Sequence, residues 1–83
     1  MYDLIYSPSA LKELEKLDKA IRDRIIIALE RLRIRPGSCD IRRLVGMPGY
    51  RFRVGDHRII FDIEQEKLHL LVLKIGHRKN VYD

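Results

Sequence analysis

The segment from Gly49 to Asp62, GYRFRVGDHRIIFD, determines the expected fold of this chain. It predicts two short strands joined at Gly55-Asp56, because glycine tolerates a positive φ and this dipeptide suits a two-residue hairpin turn of the primed type. That turn fixes the register and places Arg53 opposite Arg58. Side chains alternate between the two faces of a strand. The register therefore gives an apolar face and a basic face; the apolar one is formed by Tyr50, Phe52, Val54, Ile59 and Phe61, and the basic one by Arg51, Arg53 and Arg58.

The three arginines of the basic face suggest an anion-binding surface. Like charges that face each other across a ladder destabilise a sheet. Arginine stays protonated and offers a planar fork of donors that matches the oxygens of a phosphate. We therefore interpret this face as a site for a polyanion, with a merely solvated surface as the alternative.

Length and charge agree with this interpretation. The chain has 83 residues, and we expect residues 1–83 to form one domain with a thin core. Seventeen Lys and Arg against twelve Asp and Glu give a formal net charge of +5. This excess makes nucleic acid the first candidate for a partner.

Several features of the sequence predict a cytoplasmic protein. No apolar run approaches the ~20 residues that a membrane span needs. The N-terminus shows no basic region followed by an apolar one, so we expect no secretory signal. Cys39 is the single cysteine of the sequence, which agrees with a reducing compartment.

The segment before the hairpin predicts one strand and two helices. Tyr2 to Tyr6 alternates like a short strand and stops at Ser7, which can cap a helix that begins at Pro8. Asp18 can cap a second helix, and both helices have apolar residues at helical spacing. We expect these two helices to form a helical hairpin.

The remaining segments complete an α+β domain. A short strand is expected around Ile41 to Val45, and the apolar run from Lys67 to Ile75 predicts the buried central strand. The predicted order is β-α-α-β-β-β. The N-terminal strand and helical hairpin would pack on one face of a small, mostly antiparallel sheet and leave the basic face open.

The C-terminal segment contains groups that can move protons. Nearby guanidinium groups would favour the phenolate of Tyr82, whose ordinary pKa is about 10, so Tyr82 could act as a general base. A tyrosine that packs against the sheet is the alternative. His77 is the histidine best placed to donate a proton, unless it is a solvated loop residue. His57 and His69 are expected to pack.

Neither a metal nor an organic cofactor is expected. The three histidines and Cys39 lack the close spacing of a metal site. No glycine-rich phosphate loop follows a strand and opens a helix.

In its order and spacing the sequence resembles the RelE/ParE superfamily of toxins from prokaryotic toxin–antitoxin modules, and within it the RelE branch. The similarity covers nearly the whole chain: an opening strand followed by Ser-Pro-Ser, a helical hairpin, Leu44-x-Gly46, YRFRVGDHRIIF and IGHRKNVY. ParE-like members share the fold and much of the hairpin, and the C-terminal tyrosine favours the RelE branch. The resemblance implies a RelE-like microbial-RNase fold.

The resemblance also implies an activity and roles for single residues. RelE-like toxins are endoribonucleases that cut mRNA in the ribosomal A site, without a metal. Arg58 matches the arginine that stabilises the transition state, Arg78 the one that holds phosphate or assists the leaving group, and Tyr82 the proposed base. Arg51 and Arg53 stand where well-known members carry lysines. An arginine is a poor proton donor, so the acid would be His77 or water. The residues expected to bind RNA are Arg42, Arg43, Arg51, Arg53, Lys74 and Lys79.

The expected partners follow from this activity. They are the ribosome with its mRNA and a cognate antitoxin, a small acidic helical protein; no membrane and no small-molecule cofactor is expected. Two alternatives stay open: a ParE-like toxin that inhibits a topoisomerase (gyrase) without catalysis, and an inactive RNA-binding member of the fold.

Overall fold

The computed structural model describes residues 1–77, in which two helices pack on a five-stranded sheet. The helices are α1 (Pro8–Glu15) and α2 (Lys19–Ile34), and one 3₁₀ turn follows at Pro36–Ser38. The strands are β1 (Asp3–Tyr6), β2 (Ile41–Arg43), β3 (Tyr50–Val54), β4 (His57–Glu64) and β5 (His69–His77). Neither α1 nor α2 is long and apolar enough to cross a membrane.

The α+β class is confirmed, and each of the five strand segments predicted above forms a strand, although the predicted order β-α-α-β-β-β contains only four. The strands lie in the order β1-β5-β4-β3-β2, and all neighbours are antiparallel except β1 and β5, which run parallel. The middle strand is β4, whereas the segment predicted as central lies between β4 and β1. This strand, β5, begins at His69 and not at Lys67, because the turn after β4 continues to Leu68, whose φ is 54°.

Both helices cover one face of the sheet. The Ser7 hydroxyl caps α1 as predicted, since it accepts a hydrogen bond from the Ala10 backbone N–H at 3.0 Å. Asp18 precedes α2 but makes no side-chain capping bond. The core between helices and sheet contains Ala10, Leu14, Ile25, Leu29 and Leu32 on the helices and Phe52, Ile59, Phe61, Leu70, Val72 and Ile75 on the strands.

The hairpin of β3 and β4 has the predicted register at every pair, from Tyr50 opposite Phe61 to Val54 opposite His57. Gly55 has a φ of 59° and Asp56 has no positive φ, which is the pattern of a type II′ turn. The rings of Tyr50 and Phe61 stack at 5.4 Å on the side of the helices. The apolar face therefore faces the helices, and the face with the arginines lies on the other side of the sheet.

Candidate functional site

Four arginines line one small concavity on the face of the sheet opposite to α1 and α2. It has a volume of about 100 Å³ and is lined by Asp40, Arg42, Arg51, Arg53 and Arg58, which we call the arginine site. Arg42 faces Arg51 across β2 and β3, and Arg53 faces Arg58 across β3 and β4. Two cross-strand pairs thus bring four guanidinium groups from three strands together.

The charge of the arginine site suits a ligand with phosphate groups. Arg42 and Arg53 are exposed, and Arg51 and Arg58 are half-buried. Cations that face each other on adjacent strands repel, and among residues 1–77 the lining of this site provides one carboxylate and four guanidinium groups. Each guanidinium can donate two parallel hydrogen bonds to a phosphate. A bound polyanion would offset the repulsion that the fold imposes on these side chains.

A small apolar cluster lies on the same face as the arginine site. Ile60 follows Arg58 by two positions along β4, which places it on the same face, and it packs against Leu44; each of the two is 8% exposed. Beyond Leu44 the loop exposes Val45 and Met47. Leu44 and Ile60 thus form a small apolar cluster on the face that contains Arg58.

Asp40 is the member of the arginine site that the sequence analysis missed. It lies directly before β2 and two residues before Arg42, so the alternation of an extended chain brings both side chains to one face. That alternation was the available signal. The alternation indicates a place for Asp40 beside the arginines only when the pairing of β2 with β3 is known.

Two of the predicted RNA-binding residues lie apart from the arginine site. Arg43 is opposite Tyr50 on β3, and its guanidinium carbon is 5.8 Å from the centroid of that ring, on the side of the helices. Lys74 is opposite Ile60 and so on the face of the arginines. Its ammonium group, however, lies 3.9 Å from the Glu13 carboxylate on α1.

The structure separates His77 from the arginine site. His77 is opposite His57 at the end of the sheet, and the two rings meet edge to face at 5.5 Å. Both histidines line a cavity on the helix side, together with Arg24 and Val54. The residue opposite Arg58 is Gly76. Of the other predicted site residues, Arg78, Lys79 and Tyr82 lie outside the described residues.

Tyr6 is a tyrosine of the helix side and is not a candidate base. Burial, and then the nearby Glu30 carboxylate, raise the pKa of its phenol above the ordinary 10.0, although Arg33 acts in the opposite direction. A phenol with a raised pKa stays protonated near neutral pH. Tyr6 therefore has a packing role, and its side chain lies against the core.

The comparisons with known proteins point to toxins. Residues 4–82 match the family model described as the ParE toxin of the type II toxin–antitoxin system parDE. A comparison with curated proteins found no match. Among solved structures, the chain is similar to the archaeal RelE–RelB complex from Pyrococcus horikoshii OT3, with 26% identity and a TM-score of 0.80 over 96% of this chain and 98% of that chain.

Two structures from E. coli are similar to the same degree. The intact RelBE toxin–antitoxin complex gives 26% identity and a TM-score of 0.79 over 93% of this chain and 96% of that chain. The isolated RelE toxin gives 26% and 0.78 over 93% and 84%. The matched family model spans the helices, the sheet and most of the segment after it. The chain therefore belongs to the ParE toxin family and is a type II toxin–antitoxin toxin of the RelE/ParE superfamily.

Proposed function

We propose that this toxin is a metal-independent endoribonuclease that cleaves mRNA in the ribosomal A site and thereby inhibits translation in the cytoplasm. The observation that carries the proposal is the arginine site, where four arginines line one concavity on the sheet face opposite to α1 and α2. Similarity to RelE structures over more than nine tenths of the chain supports the choice of the RelE type of activity.

Cleavage of RNA without a metal needs three groups at the scissile phosphate. A base activates the 2′-OH, cations stabilise the charge on the phosphorane oxygens, and an acid protonates the 5′ leaving oxygen. We assign the cationic role to Arg53 and Arg58, which approach from opposite strands, with Arg51 beside them. Arg42 extends the site along the sheet towards a neighbouring phosphate.

The C-terminal segment would supply the base. We assign that role to Tyr82, because cations beside a phenol would favour its phenolate. Arg78 directly follows the last residue of β5 and would hold the phosphate or assist the leaving group, and Lys79 would contact the RNA backbone.

The acid is water in this proposal. His77 lies beside His57 on the helix side of the sheet, away from the four arginines. An arginine remains protonated and is a poor proton donor, so Arg51 and Arg53 cannot take over that role.

We further propose a cognate antitoxin as partner. The similar structures from Pyrococcus horikoshii OT3 and E. coli are RelE–RelB and RelBE complexes. An acidic protein with an amphipathic helix could neutralise this toxin if it covers the arginine site or displaces the C-terminal segment.

The name of the matched family favours a second candidate function. A ParE-like toxin would inhibit a topoisomerase by binding and without catalysis. It would not need Arg78 and Tyr82 together, and its induction would cause filamentation and DNA damage instead of translation arrest.

Removal of the Tyr82 hydroxyl group tests the proposal. Tyr82→Phe should lower the rate of mRNA cleavage on translating ribosomes by about 10²–10⁴-fold, the range for loss of a general base. The matched control is Tyr2→Phe, which removes a hydroxyl that donates to the Gln65 side chain at 3.0 Å. This control should cleave like the wild type. Full activity of Tyr82→Phe would refute the assignment, and wild-type protein that inhibits DNA gyrase but cuts no mRNA would establish the second candidate.

A further inference from the structure

Strand β5 extends past the end of its neighbour β1. The two strands pair from Asp3 opposite His69 to Tyr6 opposite Val72, and β5 continues to His77. From Leu73 onward this edge of β5 has no strand partner within residues 1–77. Unpaired backbone groups at an edge are costly unless other groups satisfy them.

Groups at the N-cap of α1 and in its last turn satisfy this edge. The Ser7 backbone N–H donates to the Val72 carbonyl at 2.9 Å, and the Ser7 hydroxyl donates to the Leu73 carbonyl at 3.0 Å. The Ile75 backbone N–H donates to Glu13 Oε1 at 2.9 Å. The other carboxylate oxygen, Oε2, lies 3.9 Å from Lys74 Nζ. One glutamate thus joins α1 to two consecutive residues of β5.

The bond to Glu13 lies where β5 departs from regular pairing. Ile60 is opposite Lys74 but Phe61 is opposite Val72, so Leu73 is an extra residue in β5. Such a bulge bends the strand and interrupts the ladder. The part of β5 beyond Leu73 therefore depends on β4 on one side and on Glu13 on the other.

This part of β5 leads directly to the proposed catalytic segment. Ile75 is opposite Ile59, and the next residue, Gly76, is opposite Arg58 of the arginine site. Arg78 follows Ile75 in the sequence by three residues. A shift of the strand end would move His77, the residue to which Arg78 is bonded, relative to Arg58.

We infer that Glu13 is a positioning residue for the ribonuclease site, because its carboxylate fixes the end of β5 and with it the start of the segment that contains Arg78 and Tyr82. This inference rests on the proposed function. Glu13 itself is not among the described residues that line the arginine site. Its side chain is 29% exposed and faces the β5 edge.

Three variants separate the hydrogen bond from the charge. Glu13→Ala removes both the bond to Ile75 and the pairing with Lys74. Glu13→Gln keeps a side-chain oxygen that can accept from the Ile75 N–H, but loses the charge near Lys74. Glu15→Ala is the matched control, since it removes an exposed carboxylate from the same helix.

Two measurements on each full-length variant test the inference: amide hydrogen exchange, and cleavage kinetics on ribosomes. In Glu13→Ala the Ile75 amide should exchange about ten-fold faster or more, while the Phe61 amide, in the core, stays protected. The same variant should lose about 10- to 100-fold in kcat with little change in KM, because misplacement lowers the rate of the chemical step more than binding. Glu13→Gln and Glu15→Ala should stay close to the wild type in both.

Two results would overturn the inference while the wild type still cleaves mRNA. One is wild-type kcat in Glu13→Ala, whether or not Ile75 exchanges faster. The other is an equal loss in Glu13→Gln, which would transfer the effect to the charge near Lys74. Failure of the wild type to cleave would instead refute the proposed function, and the inference with it.

Discussion

Arg53 and Arg58 face each other across β3 and β4, so two guanidinium groups occupy neighbouring positions on one sheet surface. Like charges that lie directly opposite each other lower the stability of a sheet by roughly 0.2–1 kcal/mol. A bound phosphate would reverse this effect by accepting hydrogen bonds from both. We therefore predict that this pair lowers the stability of the free toxin and contributes affinity when an anionic ligand binds.

Replacing Arg53 should separate these two effects. Arg53→Thr keeps a residue suited to a strand, and it should raise the free energy of unfolding in urea by about 0.5 kcal/mol. It should also weaken binding to single-stranded RNA and reduce the salt dependence of binding by about 0.7 in log–log slope, the value for one phosphate contact.

The same substitution at Arg43 is the control. Arg43 lies over the Tyr50 ring and lacks a cation directly opposite, so Arg43→Thr should not stabilise the protein. A less stable Arg53→Thr with an unchanged salt dependence would contradict this account of the arginine site.

The sequence was sufficient to group Arg51, Arg53 and Arg58, because a Gly-Asp turn and the two-residue period of strands fix every pairing between β3 and β4. It was insufficient for Asp40, whose neighbours depend on how β2 aligns with β3. That alignment results from packing between segments separated by a loop, and no local pattern specifies it.

At the scale of single elements, β5 shows why His77 could not be placed from the sequence. Strict alternation from Val72, which is buried, would put residue 74 on the core side and residue 75 on the other. The extra residue at Leu73 reverses this: Ile75 is 2% exposed and Lys74 faces away from the core. His77 follows Ile75 by two positions and so shares the helix side.

The turn between β3 and β4 gives a prediction for this element. Gly55 has a φ of 59°, and a Cβ added there would lie 3.2 Å from Arg24 Nη1, the end of a flexible side chain. The backbone conformation is therefore the main obstacle, and Gly55→Ala should lower the free energy of unfolding by about 1–2 kcal/mol. Gly55→Asn should lose less, because asparagine tolerates this conformation better.

Gly37→Ala provides the matched control for the turn. No heavy atom lies within 4 Å of a Cβ at Gly37, and its φ is not in the left-handed region. Its stability in urea should stay within about 0.5 kcal/mol of the wild type. A Gly55→Ala variant as stable as this control would show that the turn does not constrain the hairpin.

At the scale of the whole molecule, the net charge of +5 predicts an acidic partner but does not say which face binds it. The helix side also has exposed arginines: Arg24 and Arg31 of α2 line a groove with Ile27. What distinguishes the sheet side is the arrangement, since its cations are concentrated by cross-strand pairing. Composition predicts the kind of partner and the hairpin pattern predicts the face for it, and the fold adds Asp40 and Arg42 to the proposed binding surface.

The most direct test of the central claim compares these two faces in one measurement, the mapping of mRNA 5′ ends on translating ribosomes after addition of the toxin. Arg53→Ala/Arg58→Ala and Arg24→Ala/Arg31→Ala each remove two positive charges, from opposite faces. We predict that the first pair lowers A-site cleavage by about 10²-fold or more, as expected when groups that stabilise the transition state are lost, and that the second pair cleaves like the wild type. Equal losses in both pairs, or full cleavage by Arg53→Ala/Arg58→Ala, would contradict the assignment of mRNA cleavage to the arginine site.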